Sequence, residues 1–456
     1  MKDPRRGIAP PPEAREERAM DEWPHHRLLR RLAIGIVIVA VAEFLIATPG
    51  MQIRRLPAST DFATYYLAGA QARAGLSPYD RTAIAARGHA LGFVHEQFPF
   101  LYPPPFALAM QPLARMSYAH ARQVWMLLST LGLLAALAVT ALLMRRQAEA
   151  LGIEDPRLYW VLLAAFVPAA LNSTSVHNDI RAGSVGSLLL LAMVAIAWGM
   201  MRTAAAGRAS AATGIALAVA ALVKLAPVAL LPYAWWRGAR RAAALGLVLV
   251  ALTMLPALAH WGWGIVPDYL ASAILPSLRD EVAPPMNQSL DAFLSRLFVP
   301  SRWVESPLRA PGFKRALSAA LALGIVILTL RALGARRRAP ALVPVEVGAA
   351  LLAILVLMKL TWVQTLAAML FVWPTLMLVI LRAAERGAAW ARRAGLVACA
   401  GFFLSSAHLP VLWTALRHGP QVAFTGAHLL GLLLLWSTAC FVLRRQPDVA
   451  GRGDEP

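Results

Sequence analysis

The stretch that decides the fold class is Arg27-Leu-Leu-Arg30-Arg31 followed by Leu32-Ala-Ile-Gly-Ile-Val-Ile-Val-Ala-Val-Ala-Glu43-Phe-Leu-Ile-Ala-Thr48. A basic segment leads into an apolar run broken only by Glu43, close to the length a helix needs to cross a bilayer. Similar runs recur to the end of the chain. Hydropathy assigns about twelve of them: Leu32–Thr48, Val124–Met144, Leu158–Ala170, Val185–Met201, Ser210–Val223, Leu225–Trp236, Ala242–Leu258, Ala316–Leu330, Leu342–Met358, Trp362–Ile380, Ala394–Trp413 and Val422–Leu443. The fifth and sixth are short and meet at Lys224, so they read either as two spans or as one broken helix. Hydrophobic residues make up 59% of the 456 and the mean hydropathy is +0.58, which excludes an ordinary soluble domain. The expected class is an all-α integral membrane protein with about 12 transmembrane helices.

The net charge of +20 would suit a nucleic-acid partner, but the basic residues sit in short loops between apolar runs. Arg27, Arg30 and Arg31 precede the first run; Arg145 and Arg146 follow the second, and Arg202 and Arg208 the fourth. Then come Arg237, Arg240 and Arg241, Arg336 to Arg338, Arg392 and Arg393, and Arg444 and Arg445. With twelve spans all of these clusters fall on one side, and the positive-inside rule makes it the cytoplasmic one. The charge is then a record of topology, and no nucleic acid is expected. The expected organisation is a cytoplasmic disordered tail over 1–31, a polytopic membrane domain over 32–443 and a cytoplasmic tail over 444–456, in the cell (inner or plasma) membrane. Both termini are then cytoplasmic, and no cleavable signal is evident. The long loops at about 49–100 and 260–312 face outward, and the working face with them. Cys399 and Cys440 lie inside apolar runs and read as small core residues.

Thr60-Asp-Phe-Ala-Thr-Tyr-Tyr-Leu-Ala-Gly-Ala-Gln-Ala-Arg-Ala-Gly-Leu-Ser-Pro-Tyr-Asp80 follows the first run. Thr60 can cap a helix, Asp61 falls in its first turn, and Tyr65 shares the Asp61 face four residues on. An ionised carboxylate at a membrane surface suits a general base acting on a lipid-borne substrate; on spacing alone the plainer reading, that Asp61 only completes a helix start, is the stronger of the two. Gly75 should stop this helix, and Asp80 should cap a second one running towards His89. Tyr102-Pro103-Pro104-Pro105 leads into Phe106–Met116, too short to span and expected to lie in the interface. No phosphate-binding glycine loop, metal-ligand spacing or serine elbow occurs. The remaining candidates are polar residues near span ends, which are costly in a bilayer. Lys224 would bind a lipid phosphate or simply extend its stem to the interface. Arg181 and Arg296 offer bidentate grips on phosphate, with a surface role as the alternative. Glu43, Lys359 and His408 also lie in or near outer span ends. Most of the tryptophans read as an interfacial belt.

As a set, Asp61-Phe62 with Tyr65-Tyr66, Gly75 with Pro78-Tyr79, Tyr102-Pro103-Pro104, Lys224 with Pro227, and Asn287-Gln288-Ser289-Leu290 resemble glycosyltransferase family 87. The resemblance runs from about Thr60 to Arg296, more weakly to Pro374. It implies a C-type glycosyltransferase fold with outer-face loop helices, in which Asp61 matches the catalytic acid. It also implies inverting transfer of a sugar, hexose and mannose-like, from a polyprenyl-phosphate donor to a lipid or glycan acceptor. On this reading Tyr65, Tyr66, Tyr79, Tyr102, Arg181, Lys224, Asn287, Gln288, Arg296 and Gln364 contact substrate. Two departures stand out: Gly183-Ser184-Val185-Gly186 replaces Gly-Gln-x-Asn, and Gln364 stands where some members carry a histidine. No cofactor is expected, and a divalent metal is not indicated. The alternatives are a transporter or flippase for a lipid-linked or anionic solute, and an outer-facing ligase of the lipid-linked polysaccharide type.

Overall fold

Apolar runs that must satisfy their own backbone within a bilayer have to be helical. In the computed structural model, which describes residues 12–48, 61–93, 99–153, 155–207, 210–279, 281–334, 339–409 and 414–445, they are. Among the described residues the helices are α1 (Pro12–Ala47), α2 (Asp61–Arg73), α3 (Arg81–Ala90), α4 (Pro104–Met110), α5 (Tyr118–Leu151), α6 (Pro156–Leu171) and α7 (Thr174–Ala182). They continue with α8 (Gly186–Ala206), α9 (Ala211–Val223), α10 (Leu230–Trp236), α11 (Arg240–Trp261), α12 (Ile265–Tyr269), α13 (Leu275–Arg279), α14 (Leu290–Phe298) and α15 (Pro311–Leu333). The last are α16 (Val343–Leu357), α17 (Val372–Glu385), α18 (Ala391–Ser406) and α19 (Ala427–Arg444). Short 3₁₀ segments, notably Leu113–Arg115, Ala226–Ala229 and Val363–Met369, join some of them.

The count of twelve spans needs correction. Among the described residues, six helical segments are long and apolar enough to cross a membrane: α5, α8, α11, α15, Pro340–Leu357 and Gly419–Arg444. Two bent pairs raise this to eight: α6 with α7, at 43°, and Val363–Met369 with α17, at 42°. α9 has 13 residues and α18 has 16, below the roughly 20 that a bilayer asks for. The stretch 226–236 breaks into a 3₁₀ turn and the 7-residue α10, so the junction at Lys224 is a real interruption. α1 begins at Pro12, so helix runs through part of the segment expected to be a disordered tail.

The outer-loop expectations fare better. α2 ends at Arg73, just ahead of Gly75, and Asp80 caps α3 by accepting from the Ala83 amide at 3.0 Å. α4 is a short helix after Pro103, as the proline run required. Thr60, the expected cap of α2, lies outside the described residues.

With no hydrophobic drive between helices in lipid, small residues must bring backbones together. Gly401 on α18 and Gly431 on α19 meet so closely that a Cβ on Gly431 would lie 2.7 Å from the Gly401 carbonyl oxygen. α16 and the Val363–Met369 turn are almost wholly buried. α11 and α15 expose Leu247, Leu252, Leu255, Leu323 and Leu330, as helices facing lipid would. Cys440 is buried, but Cys399 is exposed, so only one of the two is a core residue.

The chain ends of the helices sort the charges. At one end Arg237 pairs with the fully buried Glu346, which also accepts from the Tyr233 hydroxyl at 3.0 Å, and Arg237 donates to the Leu333 carbonyl at 2.9 Å. Gln147 holds the Ala341 and Thr375 carbonyls at the same end, where Arg145 and Arg146 pair with Glu149. Asp61 lies at the opposite end.

Candidate active site

Four interruptions of helix meet where α2 begins: Asp61 itself, the turn between α7 and α8, the break at Lys224, and the loop leading into Val363–Met369. α2 is held there by its aromatic side. Phe62 stacks on Trp125 with centroids 5.8 Å apart, and Tyr65 meets the Trp125 edge at 5.7 Å. Gly69 lets α2 lie directly on α4, since a Cβ would come within 2.7 Å of the Met110 carbonyl oxygen.

The Asp61 carboxylate accepts from Gln364 Nε2 at 3.2 Å, with the Ser184 side chain beside it and the Lys224 charge within reach. Asp61 keeps part of its surface open, yet protein crowds the carboxylate. Desolvation raises its pKa above the ordinary 3.8, while Ser184, Gln364 and Lys224 oppose the rise. Lys224 caps the C-terminus of α9 in extended conformation and donates through Nζ to Thr365 Oγ1 at 2.6 Å. The Tyr65 and Tyr102 hydroxyls are 2.6 Å apart. Burial raises both phenols well above their usual value, so they stay neutral and act as hydrogen-bonding groups. Gln364 Oε1 is buried with no partner among the described residues, leaving an acceptor beside Asp61 for a hydroxyl donor.

Three participants escaped the sequence reading. Ser184 lies beside both Asp61 and Tyr65 and acts on both electrostatically. Thr365 holds Lys224. Asp179, fully buried, caps α8 by accepting from the Gly186 amide at 2.6 Å, the Ser187 amide at 2.8 Å and the Ser187 hydroxyl at 2.5 Å. Asp179 also lies within electrostatic reach of Asp61 and Lys224, although 118 residues of sequence separate the two acids. The signal was present in Gly183-Ser184-Val185-Gly186, noted only as a departure. Gly183 has φ +64°, and a Cβ there would lie 2.7 Å from that of Phe62; a Cβ on Gly186 would lie 2.6 Å from the Gln364 carbonyl oxygen. The turn is small because Phe62, Asp179 and Gln364 crowd around it.

Asn287, Gln288 and Arg296 form a clasp behind the site. Asn287 donates to the Val282 and Lys359 carbonyls at 2.8 and 2.9 Å and accepts from the Thr361 amide at 2.9 Å. Gln288 binds the Pro285 and Thr425 carbonyls and accepts from the Leu429 amide. The Arg296 guanidinium, fully buried, donates to the carbonyls of Pro284 and Asn287 at 3.0 and 2.7 Å. Burial pushes its pKa down to about 9. These residues fix the 359–363 loop, and through it Gln364 and Thr365.

Other candidates lie elsewhere. Tyr66 donates to the Met116 carbonyl at 2.8 Å, and Tyr79 to the Tyr102 carbonyl at 2.7 Å. The Arg181 side chain is exposed, while its carbonyl accepts from Arg122 at 2.8 Å. Glu43 is exposed. Lys359 pairs with Asp291 at 2.6 Å, and His408 meets the Asn172 carbonyl at 3.0 Å. Among the described residues no three His, Cys, Asp or Glu side chains gather as metal ligands.

No curated protein matches the chain. Residues 100–359 match glycosyltransferase family 87, a stretch that contains Tyr102, Ser184, Lys224 and the clasp but begins after Asp61 and ends before Gln364. The match covers more than half of the chain, which therefore belongs to glycosyltransferase family 87 and is a multi-pass membrane glycosyltransferase.

Proposed function

We propose that this enzyme moves a hexose, mannose-like, from a polyprenyl-phosphate donor to a lipid or glycan acceptor, with inversion, on the outer face of the cell membrane. The observation that carries the reading is the pairing, in one partly open site, of a crowded carboxylate with a lysine from a separate helix break. The acceptor hydroxyl attacks the anomeric carbon from the side opposite the phosphate. Asp61 takes its proton as the new bond forms. The bond to the phosphate oxygen breaks, its electron pair leaves with the lipid phosphate, and Lys224 offsets the growing charge.

Within this scheme Gln364 aligns the Asp61 carboxylate and offers Oε1 to the incoming hydroxyl. Tyr65, Tyr102 and Ser184 orient the sugar. Arg181, exposed at the end of α7, is a less direct phosphate ligand than Lys224, and Arg296 serves by holding the loop of Gln364. The outward orientation, with both termini cytoplasmic, rests on the positive-inside rule applied to the arginine-rich helix ends opposite Asp61.

The test is radiolabelled sugar transfer in membranes supplied with a polyprenyl-phosphate sugar. The expected result is labelled product of inverted anomeric configuration. Movement of intact donor across the bilayer with no product would overturn it.

A further inference from the structure

At the other end of α2 from Asp61 lies a cleft of about 410 Å³. Its walls come from the last turns of α2 and α3 and from the Leu113–Arg115 turn, with Tyr66, Arg73 and Arg87 as its polar residues and Ala70, Leu91 and Ala114 among its apolar ones. Asp61 and Arg73 open and close the same helix, so the cleft stands roughly 18 Å from the reacting carboxylate at 1.5 Å per residue. A group bound there is not the one undergoing transfer.

Two guanidinium groups converge on this cleft from different helices. Arg73 is anchored by one nitrogen, Nη1, on the Ala114 carbonyl at 2.7 Å, which fixes its fork. Among the described residues neither Arg73 nor Arg87 meets a carboxylate. Both lie within electrostatic reach of the Tyr66 hydroxyl, whose own hydrogen bond goes to the Met116 carbonyl. Each arginine also suits the negative end of its own helix, but that role asks for no cavity between them. A paired arginine fork facing an open space is the geometry that grips a phosphate. The alanine and leucine wall gives an adjoining aliphatic chain a place to lie.

We infer that this cleft is a second ligand site, one that binds the phosphate headgroup of an amphiphile through Arg73 and Arg87. The inference does not depend on the chemistry at Asp61, and its first readout is binding rather than turnover.

The experiment uses the full-length chain in detergent. Thermal stabilisation is titrated with dioctanoyl phosphatidylglycerol, dioctanoyl phosphatidylcholine and inorganic phosphate, for wild type, Arg87→Gln and Arg73→Gln/Arg87→Gln. Ligand that binds only the folded state raises the midpoint saturably. Wild type should be stabilised by the anionic lipid well below the concentration needed for the zwitterionic one. Arg87→Gln, whose side chain has no described partner to lose, should fold normally and bind the anionic lipid about ten- to a hundred-fold more weakly, the loss of one charged hydrogen-bonding group. Inorganic phosphate binding as tightly as the lipid would show that the anion alone is recognised, within the same chemistry. If both lipids stabilise equally, or if Arg87→Gln and the double variant bind as wild type does, the inference fails. Transfer assays then locate the source: a raised acceptor KM at constant kcat in Arg87→Gln marks the headgroup as the acceptor's, and unchanged kinetics mark it as a bilayer lipid's.

Discussion

Replacing Asp61 by Asn separates chemistry from architecture because the surroundings can absorb the change. The carboxylate accepts from Gln364 Nε2, with Ser184 beside it. An amide at this position keeps one acceptor oxygen and turns the other atom into a donor. Gln364 Oε1, buried without a partner among the described residues, can take that donor if the glutamine amide turns over. Burial also raises the Asp61 pKa. Above 3.8 the unfolded chain is therefore ionised more readily than the folded one, and the buried charge costs stability at neutral pH. Asn removes that cost, against the loss of a favourable helix-dipole contact of about 0.3–1 kcal/mol. The unfolding midpoint should accordingly stay close to wild type. The rate should not, because loss of a general base costs about 10²- to 10⁴-fold, or about 2.7–5.5 kcal/mol of barrier. The assay is initial transfer rate against pH in detergent, beside a thermal melt. Wild type should lose activity as pH falls through a value above 3.8, since a protonated Asp61 cannot accept the proton; the variant's residual rate should lack this limb. An Asn variant retaining more than about a tenth of the wild-type rate would refute the assignment, because the change then falls below the weakest general-base effect.

Lys224→Gln should lower kcat by about 10²- to 10³-fold and raise the donor KM, with Lys224→Arg keeping part of the activity; kinetics equal to wild type would place the phosphate elsewhere. Arg296→Met should lower the melting midpoint by leaving buried carbonyls unmet, at about 1–3 kcal/mol each, and lower activity by loosening the loop of Gln364. Partial rescue of both by Arg296→Lys is expected, whereas activity loss with unchanged stability would point to direct phosphate contact. Cysteines at the exposed positions His89 and Arg302 should react with an impermeant thiol reagent in intact cells; labelling only after permeabilisation would reverse the proposed orientation.

Apolar runs and turn residues made the helices legible: the cap at Asp80 and the stop at Gly75 are local chemistry, and the helices follow them. The span count was not legible in the same way, since hydropathy does not report where a run such as 226–236 kinks into short pieces. Asp61, Tyr65, Tyr102, Lys224 and Gln364 were all named from sequence, and the fold brings them together. Asn287, Gln288 and Arg296 were named as ligands, but their hydrogen bonds are spent on backbone carbonyls and amides. Sequence shows that a polar residue near a membrane needs a partner; it does not show whether that partner is substrate or the protein's own main chain. Asp179 and Ser184 were missed because their value lies in a tight turn whose neighbours come from four distant segments.

The contact between Asp61 and Gln364 joins residues 303 positions apart. At synthesis rates of about 5–20 residues per second, the ribosome needs roughly 15 to 60 s to follow the first with the second. For that interval α2 exists without the loop that aligns its carboxylate and without the threonine that steadies Lys224. On the proposed roles, the nascent chain stays catalytically silent until Gln364 and Thr365 have been made. A truncated product ending before the 359–365 loop carries the base and the lysine, but lacks the segment that sets either one in place.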